Sequence, residues 1–183
     1  MSRAALIGAA LLLLAAEPAG AGAGPEEPAG YRMGQYRASV PETLAGAQVV
    51  DDETAHVLWQ AGKVVFIDVL PRPPKPDNLP AGTVWRDKLR LSIPGATWLP
   101  NVGYGALHAD THTYFRAGLE VATGGNLSHP VLFFCLANCW MSWNAAKRGL
   151  EYGYTTVYWY PGGTNGWEFN GWPTEKAEPF AAP

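Results

Sequence analysis

The chain has very few cysteines, only Cys135 and Cys139 among 183 residues. A framework of several disulfides is therefore excluded, and a Cys135–Cys139 bridge would close a loop worth only about 2 kcal/mol in chain entropy. Charge is also sparse. Charged residues make up 16% of the chain and the formal balance is −3, so no basic field points to nucleic acid. No stretch after residue 23 is apolar enough to cross a bilayer, which takes about 20 apolar residues. Covalent haem attachment is not supported either, because no C-x-x-C-H occurs.

The content that is present fits one α/β domain with a sizeable core. Eight Trp and eight Tyr in so small a chain suggest an aromatic-walled site or a docking surface, with much of that mass also in the core. Residues 1–23 read as a signal peptide. Arg3 supplies a positive start, Ala4 to Ala16 form a short apolar run, and Ala19-Gly20-Ala21 and Ala21-Gly22-Ala23 offer small-x-small cleavage sites. Removing them takes away Arg3 and Glu17, one charge of each sign. The expected location is periplasmic. Residues 24–46, rich in Gly, Pro, Ala and Glu, read as a flexible leader that becomes ordered between Tyr31 and Leu44.

From residue 47 to 176 strands alternate with helices. Ala47 to Val50 is a short strand, and Asp51 or Asp52 caps a helix that stops at Gly62. Val64-Val65-Phe66-Ile67 and Val131-Leu132-Phe133-Phe134 are continuous apolar runs, the pattern of parallel strands buried on both faces. Trp98 and Leu99 form a short strand, and Thr156 to Trp159 the last one. Helices are expected near Tyr114 to Ala122 and from Ser142, as N-cap, to Tyr152. This order predicts an α/β fold with an open, mostly parallel five-stranded sheet and helices on both faces. Prolines 71, 73, 74, 76 and 80 mark residues 70–92 as an irregular insertion, made basic by Arg72, Lys75, Arg86, Lys88 and Arg90; it reads as a flap or docking loop. Residues 177–183 read as a tail.

Cys135 follows a buried strand and precedes a helix, at the carboxyl end of the sheet where α/β folds bind ligands. The loop Leu136, Ala137, Asn138, Cys139, Trp140, Met141 should turn free amides and a helix N-terminus toward the Cys135 sulfur. That predicts a depressed pKa for Cys135. Trp140, Ser142 and Trp143 are candidate site walls, and Cys139 is placed to resolve an adduct on Cys135.

These marks together resemble a rhodanese domain, the sulfurtransferase fold. They are Ile67-Asp68, Ile93-Pro94-Gly95-Ala96, Cys135 at the head of its loop, Gly162-Gly163, Trp167 and Gly171-Trp172-Pro173. The segment Cys135-x-x-x-Cys139-Trp140-Met141-Ser142-Trp143-Asn144 is similar to rhodanese-like proteins with a C-x-x-x-C-W motif associated with PQQ-dependent catabolism of alcohols. That resemblance implies a periplasmic setting beside quinoprotein dehydrogenases and c-type cytochromes, and a redox or cofactor role. Unlike ordinary rhodaneses, the loop carries no positive residue to hold a thiosulfate dianion. Trp140 and Met141 stand where phosphatases of this fold need an Arg, so phosphatase activity is not expected.

The expected function is thus thiol-based redox or sulfur handling, with Cys135 the nucleophile and no cofactor. The expected partner is a small thiol, a sulfur compound or a periplasmic redox protein. Two alternatives stand beside it. One is a copper site using Cys135, Cys139 and Met141, with His108, His112 or His129 as a further ligand. The other is a non-catalytic partner-binding module that uses the basic insertion.

Overall fold

The structure is a computed structural model that describes residues 24–86 and 88–182. The expected signal peptide lies outside these residues.

Five parallel strands form one sheet in the order β1-β6-β5-β2-β4, with β1 Gln48–Val49, β2 Val65–Asp68, β4 Thr97–Trp98, β5 Val131–Phe134 and β6 Val157–Tyr160. The two continuous apolar runs, β5 and β2, are its central strands. In-register triplets such as Ile67, Phe133 and Trp159 send alternate residues to opposite faces. Ile67, Val131, Phe133, Val157 and Trp159 pack on one face beneath α2 (Ala109–Thr123) and α3 (Trp140–Glu151). Phe66, Leu132, Phe134 and Tyr160 pack on the other, against α1 (Asp52–Ala61) and α4 (Gly163–Phe169). The predicted α/β fold with helices on both faces is what the chain adopts. Each fully buried side chain of β5 contributes roughly 1.5–3 kcal/mol. Much of the aromatic content is core, since Trp143, Trp159 and Trp167 are fully buried.

Local signals explain several boundaries. Asp51 Oδ1 accepts the Thr54 amide at 2.9 Å, and Gly62 closes α1 in the left-handed conformation at φ 63°. α2 starts earlier than expected, at Ala109 after His108, so Asp110 and Thr111 belong to its first turn. α3 starts at Trp140, and its N-cap is Cys139, not Ser142. The Ser142 hydroxyl points back to the Cys139 carbonyl at 3.0 Å, and its amide does the same at 3.3 Å, which draws the first turn upstream. Among the described residues no helix is long and apolar enough to cross a membrane.

The basic insertion does not stay at the surface throughout. Its end forms β3 (Arg90–Ser92), paired antiparallel with β7 (Glu175–Ala177). Arg90 and Ser92 turn inward to Asp68, at the carboxyl end of β2. Asp68 Oδ2 accepts Arg90 Nε and Ser92 Oγ, both at 2.6 Å, and Oδ1 accepts the Leu70 amide at 2.9 Å. The pair is closed off from water, with side-chain exposures of 6% and 0%. Removing one partner of such a pair strands a buried charge. Arg90→Met alone is expected to lower unfolding free energy by about 3–5 kcal/mol in urea titrations, with most of it recovered in the Arg90→Met, Asp68→Leu double variant. A single-variant loss below about 1 kcal/mol, typical of an exposed pair, would contradict this placement.

Candidate functional site

Cys135 directly follows β5, and its carbonyl is anchored from behind. It accepts the Thr164 amide at 3.0 Å and the Thr164 hydroxyl at 3.4 Å. Gly163 makes that approach possible: its φ is 55°, and a Cβ there would lie 2.6 Å from the Cys135 oxygen. Asn165 Oδ1 takes the Ala137 amide at 3.0 Å. The loop then bends through Asn138, at φ 52°, and enters α3 at Cys139.

The loop thus brings its two cysteines together as free thiols joined by a side-chain hydrogen bond. Their environments differ. Burial pushes the Cys135 thiol well above its ordinary range; its bond to Cys139 and the negative charges of Cys139 and Asp68 push the same way, while the Leu136 amide alone draws it down. Cys139 is lowered to about 6, first by the hydrogen bond from Cys135, then by the amides of Met141 and Leu136 and the positive charge of Arg37, against the opposing effect of burial. The anion therefore sits on Cys139, with Cys135 donating its proton toward it. This corrects the expectation of a depressed Cys135.

The reason lies in the amides. Ala137 donates to Asn165, Trp140 to the Tyr36 carbonyl at 2.9 Å and Ser142 to the Cys139 carbonyl, so they are not available to Cys135. Only Leu136 faces it. Cys139 occupies the N-cap of α3, where the first-turn amide of Met141 and the helix dipole act directly on its sulfur.

The cation missing from the loop comes from the leader. Within the segment expected to be flexible, residues 31–44 lie along α3. Arg37 pairs with Cys139 in an antiparallel bridge, and the Trp140 and Trp143 indoles donate to the carbonyls of Ser39 at 3.0 Å and Thr43 at 3.1 Å. Asn144 exchanges hydrogen bonds with the Arg32 backbone, and Tyr31 stacks on Arg148 and bonds Glu151. The two tryptophans, expected as site walls, are the attachment points of this strap; their rings meet edge-on at 5.6 Å. Exposure of the two residues is correspondingly small, at 0% for Cys135 and 2% for Cys139. A reactant reaches them only when the strap or the loop moves.

Other expected site residues distribute as follows. Leu136 and Ala137 are half-buried beside the sulfurs, Asn138 is exposed, and Met141 and Ser142 are buried in the first turn of α3. His108 precedes α2, His112 is hydrogen-bonded through Nδ1 to the Tyr152 hydroxyl at 2.6 Å, and His129 lies in the turn before β5. Among the described residues no group of three His, Cys, Asp or Glu is placed to hold a metal. Sequence reasoning missed Arg37, Thr164 and Asn165. The glycine pair before Thr164 was a signal for a close approach. Nothing in the sequence ties Arg37 to a motif so far downstream.

No family model and no curated protein matches the chain. Among solved structures it is similar to the polysulfide-sulfur transferase homodimer of Wolinella succinogenes, at 20% identity over 72% of this chain and 80% of that one, with a TM-score of 0.46. A complex of EanB T414A with hercynine gives 23% identity over 72% of this chain and 32% of that one, with a TM-score of 0.47. An uncharacterized protein from Saccharomyces cerevisiae gives 20% identity over 68% and 93%, with a TM-score of 0.42.

The two shifts make stability depend on pH with a definite sign. Cys139 has a lower pKa folded than the ordinary 9.0, so its contribution is complete above pH 9, shrinks as pH falls, and is gone below pH 6. Cys135, raised, acts oppositely: stability is lost as pH rises past 9. Unfolding free energy of the wild type minus that of Cys139→Ser should therefore climb between pH 6 and 9. A difference that is flat over that range would contradict a thiolate at Cys139.

Proposed function

We propose that this chain is a rhodanese-like thiol protein whose two cysteines cycle between dithiol and disulfide, with Cys139 as the attacking thiolate and Cys135 as the resolving thiol. The observation that carries this reading is the hydrogen-bonded thiol pair with its charge held at the start of α3. The thiolate is the nucleophilic form of cysteine, and at neutral pH this site holds one beside a protonated neighbour.

The chemistry follows from that asymmetry. Cys139 attacks one sulfur of a small disulfide, forms a mixed disulfide and expels the other half as a thiolate. That thiolate takes the Cys135 proton, and Cys135 attacks Cys139 Sγ. The second half leaves as a thiolate and a Cys135–Cys139 disulfide remains. The protein gives up two electrons and the substrate takes them. A sulfane-sulfur donor enters the same way: Cys135 attacks the inner sulfur of a persulfide on Cys139 and hydrosulfide departs. A stored persulfide is short-lived beside so close a thiol, which favours discharge over carriage. Arg37 supplies the positive charge that draws an anionic sulfur compound to Cys139.

The setting we propose is the periplasm, on the strength of the signal-like residues 1–23, and a place accessory to PQQ-dependent alcohol oxidation, on the strength of the C-x-x-x-C-W resemblance. A periplasmic redox protein would then return the disulfide to the dithiol.

Intact mass after brief exposure to a small aromatic disulfide tests the assignment of roles. The wild type should lose two hydrogens and carry no adduct. Cys135→Ser should trap the aryl thiol on Cys139, and Cys139→Ser should react slowly or not at all. A rapid adduct on Cys135 in Cys139→Ser, with Cys135→Ser inert, would reverse the roles.

A further inference from the structure

The strap of residues 31–44 covers both thiols, so whatever lifts it exposes the chemistry beneath. Its upstream half is fixed at two places. At one, the Arg32 amide and carbonyl are both taken by Asn144, at 3.0 and 2.9 Å. At the other, the Tyr36 carbonyl accepts the Trp140 amide at 2.9 Å and the Tyr36 hydroxyl accepts the Gly105 amide at 3.0 Å. Between these anchors the chain bends sharply, with Gln35 in the left-handed region at φ 48°, a conformation that non-glycine residues adopt at a cost.

Met33 lies in that span. It is 64% exposed, yet its sulfur rests on Gly105, where a Cβ would stand 2.5 Å from the sulfur and 2.9 Å from the Met33 Cα. Gly105 is itself held, its amide by the Tyr36 hydroxyl and its carbonyl by Arg148 Nη2. One side of the thioether thus packs on a fixed piece of backbone, and the residue is otherwise open to solvent. The other methionine among the described residues, Met141, is 4% exposed in the first turn of α3. Oxidation of methionine converts a flexible apolar side chain into a polar one and disrupts the contacts it made.

We propose that Met33 is a modification site, where a peroxide oxidises the thioether to a sulfoxide, loosens the strap from Gly105 and uncovers Cys139. The Met33 sulfur attacks the terminal oxygen of a hydroperoxide. An S–O bond forms as the O–O bond breaks, and the other oxygen leaves as water or an alcohol, taking the proton of the transferred hydroxyl. The sulfur gives up two electrons and the peroxide takes them. The new oxygen is a strong acceptor, and the Gly105 amide beneath it is already engaged by Tyr36. Held against Gly105, it is short of a donor; turned out to water, it carries the sulfur off its seat. A sulfoxide reductase restores the thioether and the cover. The inference rests on the cover over the thiols and is independent of the reaction they carry out.

Two measurements on the chain test it. In the Cys135→Ser, Cys139→Ser double variant hydrogen peroxide meets no thiol. Peptide mass spectrometry should then show oxygen added to Met33 about tenfold faster than to Met141. Amide exchange of residues 32–44 should quicken at least about threefold after treatment, and should not change when that variant also carries Met33→Leu. The second measurement uses reduced protein with both cysteines and no peroxide. Met33→Gln, which puts a polar amide in place of the thioether, should raise the alkylation rate of Cys139 by iodoacetamide about threefold, while the apolar Met33→Leu should keep the wild-type rate. The proposal is overturned by Met33 oxidising no faster than Met141, by exchange that is unchanged or that quickens equally in Met33→Leu, or by equal alkylation rates in Met33→Gln and Met33→Leu.

Discussion

The site depends on one hydrogen bond between two sulfurs. Two thiols at water-excluded positions would both be pushed toward the neutral form, because burial disfavours a thiolate. The bond breaks that symmetry. Donation from Cys135 lets Cys139 shed its proton, and the charge on Cys139 then holds the proton on Cys135. The backbone chooses the direction, since Cys139 is the N-cap of α3 and the Met141 amide of the first turn reaches its sulfur. The same four-residue spacing with the helix starting further along would leave no such preference.

Much of the remaining structure maintains this arrangement. Thr164 and Asn165 hold the loop from behind, and Gly163 makes room for the close backbone approach. The leader holds it from the front, with its carbonyls satisfying Trp140 and Trp143 and its Arg37 beside the thiolate. The strap therefore has two opposing consequences. It lowers the pKa of Cys139 through charge, and it restricts the approach of any reactant. The contacts that favour the thiolate are thus the same ones that cover it.

The sheet was legible from sequence because its signals are strong and local. Val131–Phe134 is apolar at every position, which only a strand covered on both faces tolerates, and Asp51 and Gly62 bracket α1 with side-chain and backbone chemistry that needs no tertiary partner. The position of Cys135 after β5 followed from the same run. The N-cap of α3 lies three residues upstream of the expected one because Ser142 is a good N-cap by type, whereas capping at Cys139 is set by the Tyr36 carbonyl and the loop behind it. Which sulfur carries the charge turned on that shift. Arg37 and Arg90 act on residues outside their own segments, and β3 pairs with a strand near the other end of the described residues, so no local pattern announced them.

The claim that the anion resides on Cys139 is tested most directly by carbon-13 chemical shifts of the two cysteine Cβ atoms, followed separately against pH in the reduced wild type. The Cys139 Cβ should titrate with a midpoint near 6, while the Cys135 Cβ holds its thiol shift beyond pH 9. A Cys135 Cβ that titrates first, or two midpoints together near the ordinary 9.0, would contradict the account.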